Sequence, residues 1–213
     1  MAATPIPPYP GLQVTSDETV WSGRFAVQVV EFKQRRFDGT LSGTRRWELF
    51  RRGRAAAVLP YDPHADQVVL IEQFRLPALA AGLDPMMVEI PAGLCEPDED
   101  PAATIRREAQ EEMGLHVEQL ERIGDFLLTP GGCDERCAVF AGRVHAPEAG
   151  ADGLAGHFGL AAESEDIRVR VLPAQDAIAA AVAGQYPNSV TTIALLWLGA
   201  KRDWLRSMWG AAG

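Results

Sequence analysis

The sequence predicts an α/β sandwich, with strands and helices interspersed along one chain. Three observations predict it. Short runs with strand character crowd the first 90 residues, a capped amphipathic helix near residues 100–113 interrupts them, and two helical segments follow residue 172. The chain has 213 residues, enough to bury a sizeable core as one full domain or as a core domain with an appendage.

Taken in order, the proline-rich stretch 1–15 reads as an extended arm. Residues 25–33 (FAVQVVEFK) and 46–52 (RWELFRR) read as strands separated by a Gly/Ser turn region around residues 38–43. Residues 54–60 form a short buried-type strand. Residues 67–75 (QVVLIEQFR) carry the strongest strand signal, and residues 87–90 form another short candidate. The helix at 100–113 has Asp100 as N-cap, Pro101 as first helical residue and Gly114 as stop. Strands follow near 118–128, 136–144 and 167–172. A helix then runs from Pro173 to Gly184, and a last one from about 188 to 208. Residues 145–165, rich in Gly and Ala without periodicity, read as a long functional or mobile loop.

Composition excludes several classes. A formal charge of -9, from 20 Lys+Arg against 29 Asp+Glu, argues against sequence-independent nucleic-acid binding, which needs basic patches. It leaves nucleotide substrates open, because a bound cation reverses the local sign. Three cysteines do not make a disulfide framework, so a reducing cytoplasmic setting is expected. Cys133 and Cys137 could be half of a zinc site, but no second Cys/His pair has the spacing to complete it. The N-terminus lacks a basic segment followed by an apolar run. No stretch reaches the roughly 18 apolar residues of a membrane span, so a soluble protein is expected.

The chemistry concentrates in residues 93–115, GLCEPDEDPAATIRREAQEEMGL. At about 100° per residue, Ile105, Ala109 and Met113 form one apolar stripe on the helix. Glu108 and Glu112 lie beside the stripe, one turn apart, and Glu111 lies further round. Two carboxylates at the edge of a buried face repel each other and are costly to desolvate. A hard divalent cation with oxygen ligands removes both problems. Without further context, Glu-x-x-Glu-Glu would read as a solvated acidic face.

The whole segment resembles the signature of the Nudix hydrolase family, G-x5-E-x7-R-E-U-x-E-E-x-G-U, with U a bulky or aliphatic residue. Gly93, Glu99, Arg107, Glu108, Glu111, Glu112 and Gly114 occupy the fixed positions, and Ala109 and Leu115 the U positions. The resemblance implies a Nudix α/β/α sandwich with a mixed sheet, and a loop–helix–loop holding Mg²⁺ or Mn²⁺. Glu108 and Glu112 would be the main carboxylate ligands, with the backbone carbonyl of Ala92. Glu111 would join the catalytic set as a direct ligand, through water, or as a support. Arg107 and Glu99 would orient loop and helix.

Further segments resemble the ADP-ribose pyrophosphatase subfamily. They are Thr129-Pro130-Gly131-Gly132-Cys133-Asp134-Glu135, Arg52-Gly53, Ile71-Glu72-Gln73-Phe74-Arg75, Glu89-Ile90-Pro91-Ala92-Gly93 and Glu163-Ser164-Glu165-Asp166-Ile167-Arg168. The resemblance implies Glu163 as the general base, delivered by the loop, and Glu165 as a further metal ligand. It implies substrate contacts at Phe25, Trp47, Glu48, Arg52, Arg75, Leu94, Thr129, Pro130, Gly131 and Glu135. For Arg75 the alternatives are a phosphate grip or a strand-end salt bridge. Arg24 stands where an aromatic residue is expected, leaving the stacking partner of the base open. Residues 1–55 would form a small antiparallel sheet that gathers substrate and builds a homodimer with composite active sites, and residues 56–213 the Nudix domain.

The expected function is metal-dependent hydrolysis of ADP-ribose to AMP and ribose 5-phosphate. The alternatives are a pyrophosphatase for GDP-mannose or another nucleoside-diphosphate sugar, and a catalytically silent ligand-sensing Nudix module. A sensor would be expected to lose signature glutamates and carry a basic helix-turn-helix. An RNA-cap hydrolase lacks a supporting basic stretch. No nucleic-acid or membrane partner is expected.

Overall fold

The computed structural model describes residues 5–160 and 165–210. They fall into two compact units, residues 5–53 with 127–136, and residues 54–126 with 137–160 and 165–210.

The first unit is a three-stranded antiparallel sheet in the order β1 (Leu12–Ser22), β2 (Ala26–Gln34), β3 (Arg45–Arg51). Its central strand supplies the buried side, with Ala26, Val29, Val30 and Phe32 all below one-tenth exposed. Gln28 is buried with them. Its carbonyl oxygen accepts from Arg51 Nη1 at 2.7 Å and its amide donates to Asp17, so the polar group is satisfied. The segment 127–136 is stitched to β3, where Phe50 N–H donates to Gly132 O at 2.8 Å and Asp134 N–H to Phe50 O at 3.2 Å.

The second unit is built on an eight-stranded sheet. Its main path runs β10 (Leu154–Phe158), β11 (Ile167–Pro173), β5 (Gln67–Phe74), β4 (Arg54–Asp62), β9 (Arg136–Arg143), β8 (Gln119–Leu127). Short strands β6 (Met86–Glu89) and β7 (Ala92–Leu94) pair with β5 and β4. Helix α2 (Pro101–Met113) packs on β4, β7 and β10, and its Ile105, Ala109 and Met113 join Val69 and Ile71 of β5 and Ile167, Val169 and Val171 of β11 in one buried cluster. Strand alternation turns Val68 and Leu70 to the opposite side. Helix α3 (Ala174–Val182) packs on β5 and β11, and helix α4 (Ser189–Gly210) on β4 and on α3. The predicted α/β/α layering is therefore observed, with a mixed sheet and a separate small antiparallel sheet.

Four elements depart from the reading of the sequence. The arm assigned to residues 1–15 gives way at Leu12 to β1, whose side chains are exposed at every position from Gln13 to Ser22. Backbone pairing with β2 holds this strand, so no apolar alternation marks it. Residues 76–80 form a short helix, α1 (Leu76–Ala80), with no buried side chain. The third is β7, three half-buried residues. The long loop 145–165 contains β10, set by backbone pairing of Gly156, His157 and Phe158 to β11. Each departure is an element without a strong hydrophobic period.

The end of α4 is locked to the β4–β5 turn. Tyr61, wholly buried, donates to Asp66 Oδ1 at 2.8 Å, and the Arg202 guanidinium grips both Asp66 oxygens. That grip holds the Asp66 carboxyl below the usual carboxylate range. A depressed carboxylate contributes stability above its unfolded pKa, and that contribution disappears as pH falls through the folded value. Arg202→Ala should therefore cost about 1–3 kcal/mol near neutral pH, the scale of a hydrogen bond to a charged group. Thermal melts should show a drop of several degrees that narrows below about pH 4, where the unfolded carboxyl protonates. A variant that melts like the parent at pH 7 overturns this role.

Candidate active site

The acidic group lies on the second unit. Asp100 caps α2 by accepting from Ala102 N–H, Pro101 opens it, and Gly114 closes it in the left-handed conformation at φ 67°. The buried stripe forces Glu112 inward to 4% exposure, and Glu108 keeps a side chain 15% exposed. Arg107 spans the helix edge, pairing with Glu108 at 2.9 Å, Glu111 at 3.0 Å and Glu99 at 3.8 Å. Glu99 in turn accepts from Glu96 N–H at 2.9 Å, so it closes the turn before the helix. At Gly93 a Cβ would overlap the Glu108 carboxylate, so only glycine lets this backbone approach the acid.

The electrostatics are adverse. Burial, the neighbouring Glu108 and then Glu165 push the Glu112 carboxyl up to about 8, against relief from Arg75 and the Ala92 backbone N–H. Glu108 is also raised, chiefly by burial, with Arg107 opposing. Glu112 Oε2 is buried without a hydrogen-bond partner. Such an oxygen beside a second carboxylate is a cation's donor set waiting for its charge. Among the described residues, no three Asp, Glu, His or Cys side chains are by themselves spaced to hold an ion. The arrangement thus fits a divalent cation held by a carboxylate pair with backbone and solvent oxygens, rather than a closed side-chain cage.

Glu165 accepts from Leu160 N–H at 3.1 Å and is near enough to disfavour charge on both Glu108 and Glu112. Glu163 lies outside the described residues. Leu94 is half-buried on β7, opposite Ala55. Arg75 caps α1 through its backbone, and its Nε donates to Glu89 Oε2 at 2.8 Å. The salt-bridge alternative for Arg75 is thus present, with its side chain still 42% exposed.

The aromatic and basic group lies on the first unit. Arg52 sits 4.5 Å over the Phe25 ring, which meets Phe50 edge-on at 5.5 Å, and Arg24 lies 5.8 Å from the same ring. Arg52 Nε is 3.1 Å from Glu135 Oε2, yet without an aligned hydrogen bond, so the pair is held by charge. Trp47 stacks on Phe32 at 5.7 Å and donates its indole N–H to Gly131 O at 3.2 Å, which ties the 129–133 turn to β3. Thr129 O accepts from Gly132 and Cys133 N–H at 3.1 and 2.9 Å. No neighbour approaches the position of a Cβ at Gly131. Pro130 lies in the same turn, exposed. Glu48 is exposed and paired with Arg46 at 3.5 Å. Cys133 is half-buried and Cys137 buried.

Two residues escaped the sequence reading. Asp134 accepts from Arg52 and Gly53 N–H at 2.7 and 3.2 Å and pairs with Arg51 at 2.8 Å, so it fixes the strand end that carries Arg52. Glu89 is the other. Both stand in segments quoted for their resemblance, which assigned neither a role, and for Glu89 the further signal is a carboxylate ending an otherwise apolar strand (MMVE).

Comparison with known proteins adds an independent line. The NUDIX domain family matches residues 51–190. The chain belongs to the Nudix hydrolase family. Among Nudix relatives, an ADP-ribose pyrophosphatase of Escherichia coli (strain K12) is 38% identical over 198 residues, 93% of this chain and 92% of that protein. An ADP-ribose pyrophosphatase of Haemophilus influenzae is 34% identical over 201 residues, 93% and 90% of the two chains. A GDP-mannose pyrophosphatase of Yersinia pestis is 36% identical over 149 residues, 70% and 72%. A crystal structure described as an ADP compounds hydrolase superposes with TM-score 0.66 at 18% identity, covering 93% of this chain and 96% of that one, which supports the fold. Nudix hydrolases generally depend on divalent metal. No helix among the described residues is long and apolar enough to cross a membrane.

Glu112 generates a prediction. A carboxyl raised to about 8 from an ordinary 4.5 keeps its proton in the fold and loses it in the unfolded chain. Stability of the metal-free protein should therefore fall as pH rises through that window and level off above it. Glu112→Gln should flatten the fall and raise the metal-free melting temperature at pH 8.5 by several degrees. Melts in chelator at pH 5 and 8.5 test this, and an unchanged or lower value at the higher pH overturns it.

Proposed function

We propose that this protein hydrolyses ADP-ribose to AMP and ribose 5-phosphate with Mg²⁺ or Mn²⁺. The observation that carries this reading is the buried Glu108–Glu112 pair with its orphaned oxygen, in a chain matched over 93% of its length by ADP-ribose pyrophosphatases. The GDP-mannose relative matches a smaller share, 70%. Hydrolysis of GDP-mannose or another nucleoside-diphosphate sugar is accordingly the second reading. A silent sensor is disfavoured by the complete set of signature glutamates.

Glu108 and Glu112, with the Ala92 carbonyl, would hold the cation, Glu165 would add to its ligands through a bound water, and Glu111 would support them through Arg107. The cation neutralises pyrophosphate charge and makes a bound water more acidic. Glu163 would accept the proton of the attacking water, and Arg75 would balance phosphate charge with the guanidinium nitrogens that Glu89 leaves free. On the first unit, Phe25 and Arg52 offer flat faces to a base. Glu135, Glu48 and the backbone of Thr129, Pro130 and Gly131 offer acceptors for ribose hydroxyls, Trp47 shapes that turn, and Leu94 on the second unit offers backbone groups.

A homodimer is part of this proposal. The outer strand β1 exposes Val14, Val20 and Trp21, and Trp47 of β3 is exposed as well, apolar surface that a second subunit would cover. Light scattering at micromolar concentration should give twice the chain mass. A fully active monomer overturns the dimer. Side-by-side assays of ADP-ribose and GDP-mannose with Mg²⁺ should favour ADP-ribose, and its inertness beside rapid GDP-mannose turnover overturns the substrate. Glu163→Gln should lower kcat by about 10²–10⁴-fold with little change in KM or metal affinity. If Glu165→Gln is the crippled variant and Glu163→Gln nearly normal, the base belongs to the other glutamate.

A further inference from the structure

Glu89 ends β6 with its side chain only 6% exposed, and it is surrounded by donors. Arg75 Nε donates to Oε2 at 2.8 Å, and Gln73 Nε2 approaches the same oxygen at 3.5 Å. Asn188 Nδ2 donates to Oε1 at 2.7 Å. Asn188 precedes α4, and its Oδ1 accepts from Thr191 N–H at 2.9 Å, so one amide both starts the helix and holds the carboxylate. Thr191, wholly buried, accepts from Ile90 N–H at 3.1 Å through its hydroxyl. Two adjacent residues of the strand end leading to Ala92 and Gly93 are therefore fastened to the N-terminus of α4, about a hundred residues away in sequence. Arg75 is itself fixed at its backbone, where its N–H donates to Pro85 O at 2.7 Å.

From this chain of contacts we infer that Glu89 and Asn188 are positioning residues for Arg75. They set the direction of its guanidinium so that the nitrogens beyond Nε face a substrate phosphate. The inference rests on the proposed phosphate role of Arg75. An arginine with an exposed side chain beside unpaired carboxylates has many orientations, and binding has to freeze one of them. A buried carboxylate at Nε removes most of that freedom beforehand. It also gives the cation a standing partner other than Glu112. Asn188 does the same for Glu89 by occupying the second oxygen, so the carboxylate cannot rotate away. The last helix thereby reaches the site without touching substrate.

The test is a double-mutant cycle on the full-length enzyme with ADP-ribose and Mg²⁺, read as separate KM and kcat values. Arg75→Ala should raise KM at least tenfold. Glu89→Gln keeps the shape and loses the charge, and it should raise KM about tenfold while kcat stays within about threefold. Added to Arg75→Ala, Glu89→Gln should have no further effect on KM, because its target is gone. Asn188→Ser keeps a capping oxygen but is too short for Glu89, and it should raise KM a few-fold while kcat stays within about threefold. A parental KM in Glu89→Gln, or an equal KM increase from Glu89→Gln with and without Arg75, overturns the inference while the phosphate role of Arg75 stands. An Arg75→Ala enzyme with parental KM overturns both. Inertness of the parent toward ADP-ribose is a failure of the proposed substrate, and the cycle is then run on whichever nucleoside-diphosphate sugar turns over.

Discussion

Two carboxylates held one turn apart at the edge of a hydrophobic core cannot both be charged without help, and the second unit is arranged around that conflict. The apolar stripe of α2 that fills the space against β4, β5 and β11 is the same stripe that drags Glu112 inward. Packing energy, distributed over many contacts, outweighs the desolvation of one acid. The close approach at Gly93 and the Asp100 cap keep the pair in place, and the Arg107 strap offsets only part of the burial of Glu108. Relief is left to a cation, so binding and folding share one free-energy account.

Much of this was legible from the sequence because helical periodicity and the signature spacing are both strong signals. The α2 boundaries follow from Asp100, Pro101 and Gly114, and the burial of Glu112 from its place beside Ile105, Ala109 and Met113. What stayed hidden was whatever depends on contacts between distant residues. Nothing near Glu89 announces Asn188, and nothing near Asp134 announces that it caps the end of β3. β1 was missed for a different reason. Its residues LQVTSDETVWS bury nothing, so the rule that reads strands by alternation had nothing to read.

The two units solve the problem of buried polarity differently. In the first, Gln28 both accepts and donates, Asp134 is held by several donors, and both act as joints between strands and turn. In the second, Asp66 and Glu89 are held likewise, whereas Glu112 keeps a buried oxygen without a hydrogen-bond partner. That contrast separates carboxylates that hold the molecule together from carboxylates set aside for chemistry. Glu89 and Glu112 are both buried, so burial by itself does not distinguish them; the count of donors does.

β1, eleven residues long, lies at the margin of its sheet. A straight strand of that length is a template on which further chains can grow. Its register slips twice, between Val14 and Ser16 and between Thr19 and Trp21, and Asp17 and Glu18 fall between the slips. Each slip bends the edge, and the acids charge the stretch between them. A newcomer therefore finds short, misaligned and negatively charged segments in place of one continuous ladder, and open-ended fibril growth is discouraged. An edge of this kind resists runaway self-association at the crowded concentrations in which proteins work.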